Sequence, residues 1–223
     1  MKLNKKGFTL IELLAIITIM GILMMVAIPA VSRTIENSRR DTFANLTKQY
    51  IESVRNAVIA DELSCTIPGE ASKRSVSSTL AGRYYFLIST KEAVADGDSV
   101  QNTTDLMESG GKSSWGNNDV IGIVVWDKTN STSGTSGFKI DYYAMLVDSG
   151  NHGLDKLTLE ENIKRSTIHA NTGETIKYDD IKSVDKLYER VTSNSELTNL
   201  SFANDTTVDG KTYKQAIRCT LDK

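Results

Sequence analysis

The run from Phe8 to Val31, FTLIELLAIITIMGILMMVAIPAV, holds one charged residue, Glu12. As a helix it is about 36 Å long at ~1.5 Å per residue, enough to cross a hydrocarbon core of about 30 Å. Lys2, Lys5 and Lys6 precede it. Basic residues stay on the cytoplasmic side, so the bulk of the chain is expected outside. A cleaved secretory signal also has a basic start and an apolar centre, but it carries no charge there and ends in small residues. Here Glu12 interrupts the run, and Ile28 stands two before Ala30, where a small residue belongs. A plain signal anchor fits the length and leaves Glu12 without a task.

A second element of the N-terminus is its junction. The stretch KKGFTLIELL (5–14) joins a basic leader ending in Gly to Phe-Thr-Leu-Ile-Glu at the head of the apolar run. It resembles the class III signal of type IV prepilins and pseudopilins. The resemblance implies cleavage between Gly7 and Phe8 by a prepilin peptidase, followed by N-methylation of Phe8. Glu12 then becomes the fifth residue of the mature chain, and Pro29 falls where that family usually has a helix-weakening proline. The resemblance further implies that Glu12 meets the N-terminal amine of a neighbouring subunit, an attraction strengthened in a low-dielectric setting. A carboxylate that snorkels back to the cytoplasmic headgroups is the alternative use of the same residue.

Beyond Pro29 the pattern becomes one-sided. Phe43, Leu46, Tyr50, Val54 and Ala57 or Val58 recur at three- and four-residue steps, with charged residues filling most of the remainder. That spacing predicts an amphipathic helix packed by one stripe on a domain. Pro68-Gly69 predicts its end near residue 63. A single helix from Phe8 to about Glu62, softened at Gly21 and Pro29, would be about 80 Å long.

From residue 63 onward Ser, Thr, Asn, Gly and Asp separate short apolar runs. DVIGIVVWD (119–127) and FKIDYYAMLVD (138–148) read as strands of an antiparallel hairpin around KTNSTSGTSG. RYYFLIST (83–90) fits either a strand or the start of a helix. The second half of TKEAVADGDSVQNTTDLMESGG (90–111) reads as loosely helical, KYDDIKSVDKLYERVTS (177–193) as a short helix, and KTYKQAIRCTL (211–221) as a closing strand. The expected class is α+β, with a mainly antiparallel sheet packed on the amphipathic half of the helix, the layout of the type IV pilin fold. The expected segments are a leader (1–7), a transmembrane and assembly helix (8–31), an amphipathic helix (32–62) and a globular head (63–223).

The head shows no nucleophile elbow, P-loop, dinucleotide fingerprint or zinc spacing, so no enzyme activity is expected. A formal net charge of −2 gives no electrostatic footprint for nucleic acid. His152 and His169 stand far apart in polar contexts. In DSGNHGLDK (148–156), Asp148, Asn151 and Asp155 are oxygen ligands of the kind Ca2+ takes, the one cofactor the sequence suggests. Their spacing does not match an EF-hand, and a Gly/Asn/Asp turn after a strand is the commoner use of such residues. Tyr84, Tyr85, Tyr142 and Tyr143 could form an adhesive surface or place alternate members in the core. Cys65 and Cys219 could form one disulfide in an exported domain, or remain buried thiols in a cytosolic one.

With the resemblance, these features imply a structural subunit of a type IV pilus, the large head leaning toward a minor pilin, serving surface adhesion, motility or aggregation. The expected partners are other pilin subunits, the prepilin peptidase and the inner-membrane assembly machinery. The precursor would be a single-pass plasma-membrane protein with a cytoplasmic N-terminus, and the assembled form an extracellular pilus. A pseudopilin of a type II secretion or DNA-uptake system, or a membrane-anchored binding domain, is the alternative.

Overall fold

The computed structural model describes residues 9–66, 74–75, 82–90, 94–96, 99–101, 111–130, 138–173, 176, 178, 206–208, 211–213 and 217–221. The chain divides into two compact units, Met1–Ser38 and Arg39–Lys223.

Helix α1 spans Leu10–Ile59 with Pro29 inside it. Its C-terminal end comes before the expected Glu62, while Phe8 lies outside the described residues. At its C-terminal end Asp61 takes a left-handed conformation (φ 60°). The Glu62 N–H donates to the Ala57 carbonyl at 2.9 Å and the Asp61 N–H to that of Val58 at 3.4 Å. This pair of reversed bonds satisfies carbonyls that a helix end leaves open, and so stops the helix well before Pro68-Gly69.

In the second unit, α1 buries Phe43, Ala44, Leu46, Thr47, Tyr50, Ile51, Val54, Ala57 and Val58. The expected stripe is all there. Ala44, Thr47 and Ile51 widen it, as a helix lying on a broad sheet requires.

The strands are β1 (Leu63–Thr66), β2 (Arg74–Ser75), β3 (Gly82–Ser89), β4 (Val94–Asp96), β5 (Ser99–Gln101), β6 (Val120–Asn130), β7 (Phe138–Asp148), β8 (Thr158–Leu159), β9 (Thr206–Val208), β10 (Lys211–Tyr213) and β11 (Ile217–Leu221). Seven of them form one sheet in the order β2-β1-β11-β3-β6-β7-β8, while β4–β5 and β9–β10 are separate hairpins. The β6–β7 hairpin runs in register from Val120↔Asp148 to Asn130↔Phe138. RYYFLIST resolves to strand, paired antiparallel with β6 from Gly82↔Lys128 to Ser89↔Ile121. The segment after it holds β4–β5 in its first half, and residues 102–110, read as helical, lie outside the described residues. So does the expected helix at 177–193, apart from Tyr178.

The closing strand is two pieces, β10 and β11. The second lies inside the sheet, antiparallel to β1 and parallel to β3 through Ile217↔Tyr84 and Arg218↔Tyr85.

Both faces of the central strands are buried. Tyr84, Phe86, Ile88, Val124 and Trp126 occupy one face, and Tyr85, Leu87, Ile121, Ile123 and Val125 the other. Strands covered on both sides read as unbroken apolar runs rather than alternating ones, as VIGIVVW does.

Candidate functional site

Among the described residues of the first unit the apolar side chains are exposed. Leu10 is 84% exposed, Met25 78% and Val26 74%. Among the described residues α1 is the one helix long and apolar enough to cross a membrane. A soluble monomer rarely leaves so large an apolar patch open, and such a patch marks a membrane or protein contact. Pro29 sits within this stretch, where its missing N–H leaves the Met25 carbonyl without a helical donor.

Glu12 is placed by its own first turn. The Thr9 N–H and the Thr9 hydroxyl each donate to Glu12 Oε2 at 2.8 Å, and the Glu12 N–H points back at Thr9 Oγ1 at 3.3 Å. This is a capping box, with Thr9 as N-cap and Glu12 three residues later. Thr9 is the residue that sequence reasoning missed, although the T-x-x-E spacing before an apolar run announces it. Gly7 and Phe8 lie outside the described residues.

In the head, the DSGNHG turn is organised around Asp148, which is fully buried. Its Oδ1 accepts from the Gly150 N–H at 2.8 Å, the His152 N–H at 2.9 Å and His152 Nδ1 at 2.8 Å. Its Oδ2 accepts from the Ser113 hydroxyl at 2.5 Å and from Asn118 Nδ2 at 3.4 Å. The other two oxygen-ligand candidates point elsewhere. Asn151 Oδ1 accepts from the Tyr178 N–H at 2.8 Å, and Asp155 Oδ2 lies 3.5 Å from His169 Nε2. The side chains of Asn151 and Asp155 are thus engaged with partners other than Asp148. Among the described residues no group of three or more His, Cys, Asp or Glu side chains could hold a metal ion.

The 111–119 segment ties this turn to α1. Trp115 stacks on His152 with ring centroids 4.6 Å apart and tilts against Phe43 at 5.6 Å. The Ser114 hydroxyl donates to the Arg39 carbonyl at 2.8 Å, and the Tyr50 hydroxyl to that of Gly111 at 2.9 Å. Gly111 has φ 58°, and a Cβ there would stand 1.9 Å from the Tyr50 hydroxyl, so no other residue fits without displacing that ring.

Farther along the helix, Arg55 pairs with Glu52 and with Glu160, and its guanidinium lies 4.7 Å from the Tyr142 ring centroid. Arg165 Nε donates to Asp41 Oδ1 at 2.8 Å, a hydrogen bond that holds the Asp41 carboxyl below its ordinary pKa. Tyr84, Tyr85 and Tyr142 are buried and Tyr143 is half-buried, so the four tyrosines do not make an exposed adhesive face. Cys65 and Cys219 form a disulfide between β1 and β11.

Compared with known proteins, residues 2–28 match the family model of the prokaryotic N-terminal methylation motif. No solved structure matches the chain. Joined to one long N-terminal helix and a mostly antiparallel sheet, the motif supports a type IV pilin-like protein.

Proposed function

We propose that the chain is a structural subunit of a type IV filament, made as a precursor, trimmed between Gly7 and Phe8, methylated on the new amine and polymerised through α1. One observation carries this reading: the methylation motif at residues 2–28 opens a helix whose apolar flank, Leu10 to Val31, is exposed among the described residues. In the precursor the bilayer covers that flank. In a filament the same surface is covered by copies of itself, as close packing of apolar side chains favours.

On this reading Glu12 sets the register between neighbouring subunits, and the head, with the turns that follow β7, forms the outer surface. The filament would serve surface adhesion, motility or aggregation. Loops on a rigid sheet are where such recognition usually resides.

Two measurements test the reading. Intact-mass analysis of the mature protein should give a chain beginning with N-methylated Phe8, and a mature chain that still starts at Met1 would sink it. Immunogold labelling with antibody to the head should decorate long sheared surface fibres. Label confined to short envelope-bound fibres would instead place the chain in a secretion or DNA-uptake pseudopilus.

A further inference from the structure

We propose that Thr9 is a positioning residue for Glu12, holding its carboxylate in the one orientation that lets it enter the apolar layer and engage a neighbouring subunit. The proposal rests on the filament reading above.

Three hydrogen bonds join the two residues. Two of them end on the same oxygen, Glu12 Oε2, from the Thr9 N–H and hydroxyl, both at 2.8 Å, while the third returns from the Glu12 N–H to Thr9 Oγ1 at 3.3 Å. A glutamate on an exposed first turn otherwise samples many rotamers, and ordering it costs conformational entropy. The box removes most of that freedom in advance. It also satisfies one carboxylate oxygen with donors from its own chain, leaving Oε1 outside the box.

That arrangement bears on both demands made of Glu12. A carboxylate in an apolar surrounding is expensive in proportion to its unmet hydrogen bonds, and charge-assisted bonds offset that cost most strongly. A partner cation, such as the amine of a second copy of this chain, can then reach a carboxylate whose direction is already fixed. Pre-ordering of this kind raises affinity by reducing what binding must still order. The neighbouring residues cannot substitute, because Leu10, Ile11, Leu13 and Leu14 carry no polar side-chain atom.

The Thr9 hydroxyl is the testable atom. Thr9→Val keeps the shape and removes the donor, Thr9→Ser keeps the donor, and Glu12→Ala removes the acceptor. In full-length processed protein in detergent micelles, amide exchange at Glu12 should accelerate about fivefold in Thr9→Val and stay near wild type in Thr9→Ser. In cells, Thr9→Val should reduce incorporation into sheared filaments about fivefold with normal cleavage after Gly7, and Thr9→Ser should restore it. In a Glu12→Ala background, Thr9→Val should cause no further loss, because the two act as one unit.

Unchanged Glu12 exchange in Thr9→Val, wild-type incorporation of that variant, or a Thr9→Val defect that adds to Glu12→Ala would each overturn the proposal. Wild-type protein with the exchange pattern intact but absent from any filament would overturn the filament reading instead.

Discussion

Cys219 stands directly opposite Cys65 in the antiparallel register of β11 and β1, and the two are joined as a disulfide, the bond spanning 154 residues. The pairing fastens the last strand beside the first one after the helix. β11 is also the strand that separates β1 from β3, so its position decides whether the sheet is continuous. Its own noncovalent hold is short: four register pairs with β1 and two with β3.

Removing the disulfide should therefore destabilise the head more than its two small side chains suggest. A Cys65→Ser, Cys219→Ser double variant is expected to lose about 2–5 kcal/mol, because a long loop is no longer closed in the unfolded chain. Urea unfolding of the head measures it. Hydrogen exchange should show β11 losing protection first, with the β6–β7 hairpin the last to follow.

A second prediction concerns the buried carboxylate of Asp148. Five protein donors converge on its two oxygens. Asp148→Ala strands those donors and is expected to cost about 2–4 kcal/mol, while Asp148→Asn, which keeps one acceptor oxygen, should cost less. Because protein groups already occupy both oxygens, added Ca2+ should leave the thermal midpoint unchanged. A midpoint that climbs with Ca2+ concentration would mean that the loop reorganises around a cation.

These sites differ in how plainly the residues announce them. The stripe Phe43, Leu46, Tyr50, Val54 and the strands around Val124 and Tyr143 are local patterns, set by the periods of a helix and a hairpin, and they are legible from residue spacing alone. The placement of β11 between β1 and β3 is not, because pairing across so much chain leaves no local mark. Burial of Tyr85 as well as Tyr84 is hidden for a related reason: alternation predicts one covered face, and this sheet has two. Thr9 was legible in principle, since a threonine three residues before a glutamate spells a cap. At the helix end the strong breaker Pro68-Gly69 drew the boundary too far, while the true stop uses an aspartate in a conformation usually given to glycine.

That aspartate provides the third prediction. Asp61 holds φ 60°, which is strained for a residue with a Cβ, and its side chain also accepts from the Ser75 hydroxyl. Asp61→Ala keeps the strain and loses the hydrogen bond, whereas Asp61→Gly loses the bond but relieves the strain. The glycine variant should therefore exceed the alanine variant by about 1 kcal/mol in unfolding free energy. Equal stability of the two in denaturant titrations would mean that the helix end adopts another conformation in solution.

The last prediction is a dependence on alkaline pH. Burial pushes the Tyr142 phenol above its ordinary pKa, with the Arg55 guanidinium beside it only partly opposing the shift. Burial also raises Tyr143, helped by the nearby Asp141 and Asp127 carboxylates. A tyrosine whose folded pKa exceeds its unfolded one releases its proton more readily when unfolded. Its contribution to stability is therefore complete below the unfolded value, about pH 10, and is lost as pH rises through the folded value. The thermal midpoint of the head should hold steady up to about pH 9 and fall from about pH 10 upward. Tyr142→Phe keeps the ring under the Arg55 guanidinium and removes only the ionisable hydroxyl, so it should flatten the alkaline decline, with the remainder belonging to Tyr143. If the variant and the wild type decline in parallel, Tyr142 ionises as freely in the folded head as in the unfolded chain, and its ring is not sealed between α1 and the sheet.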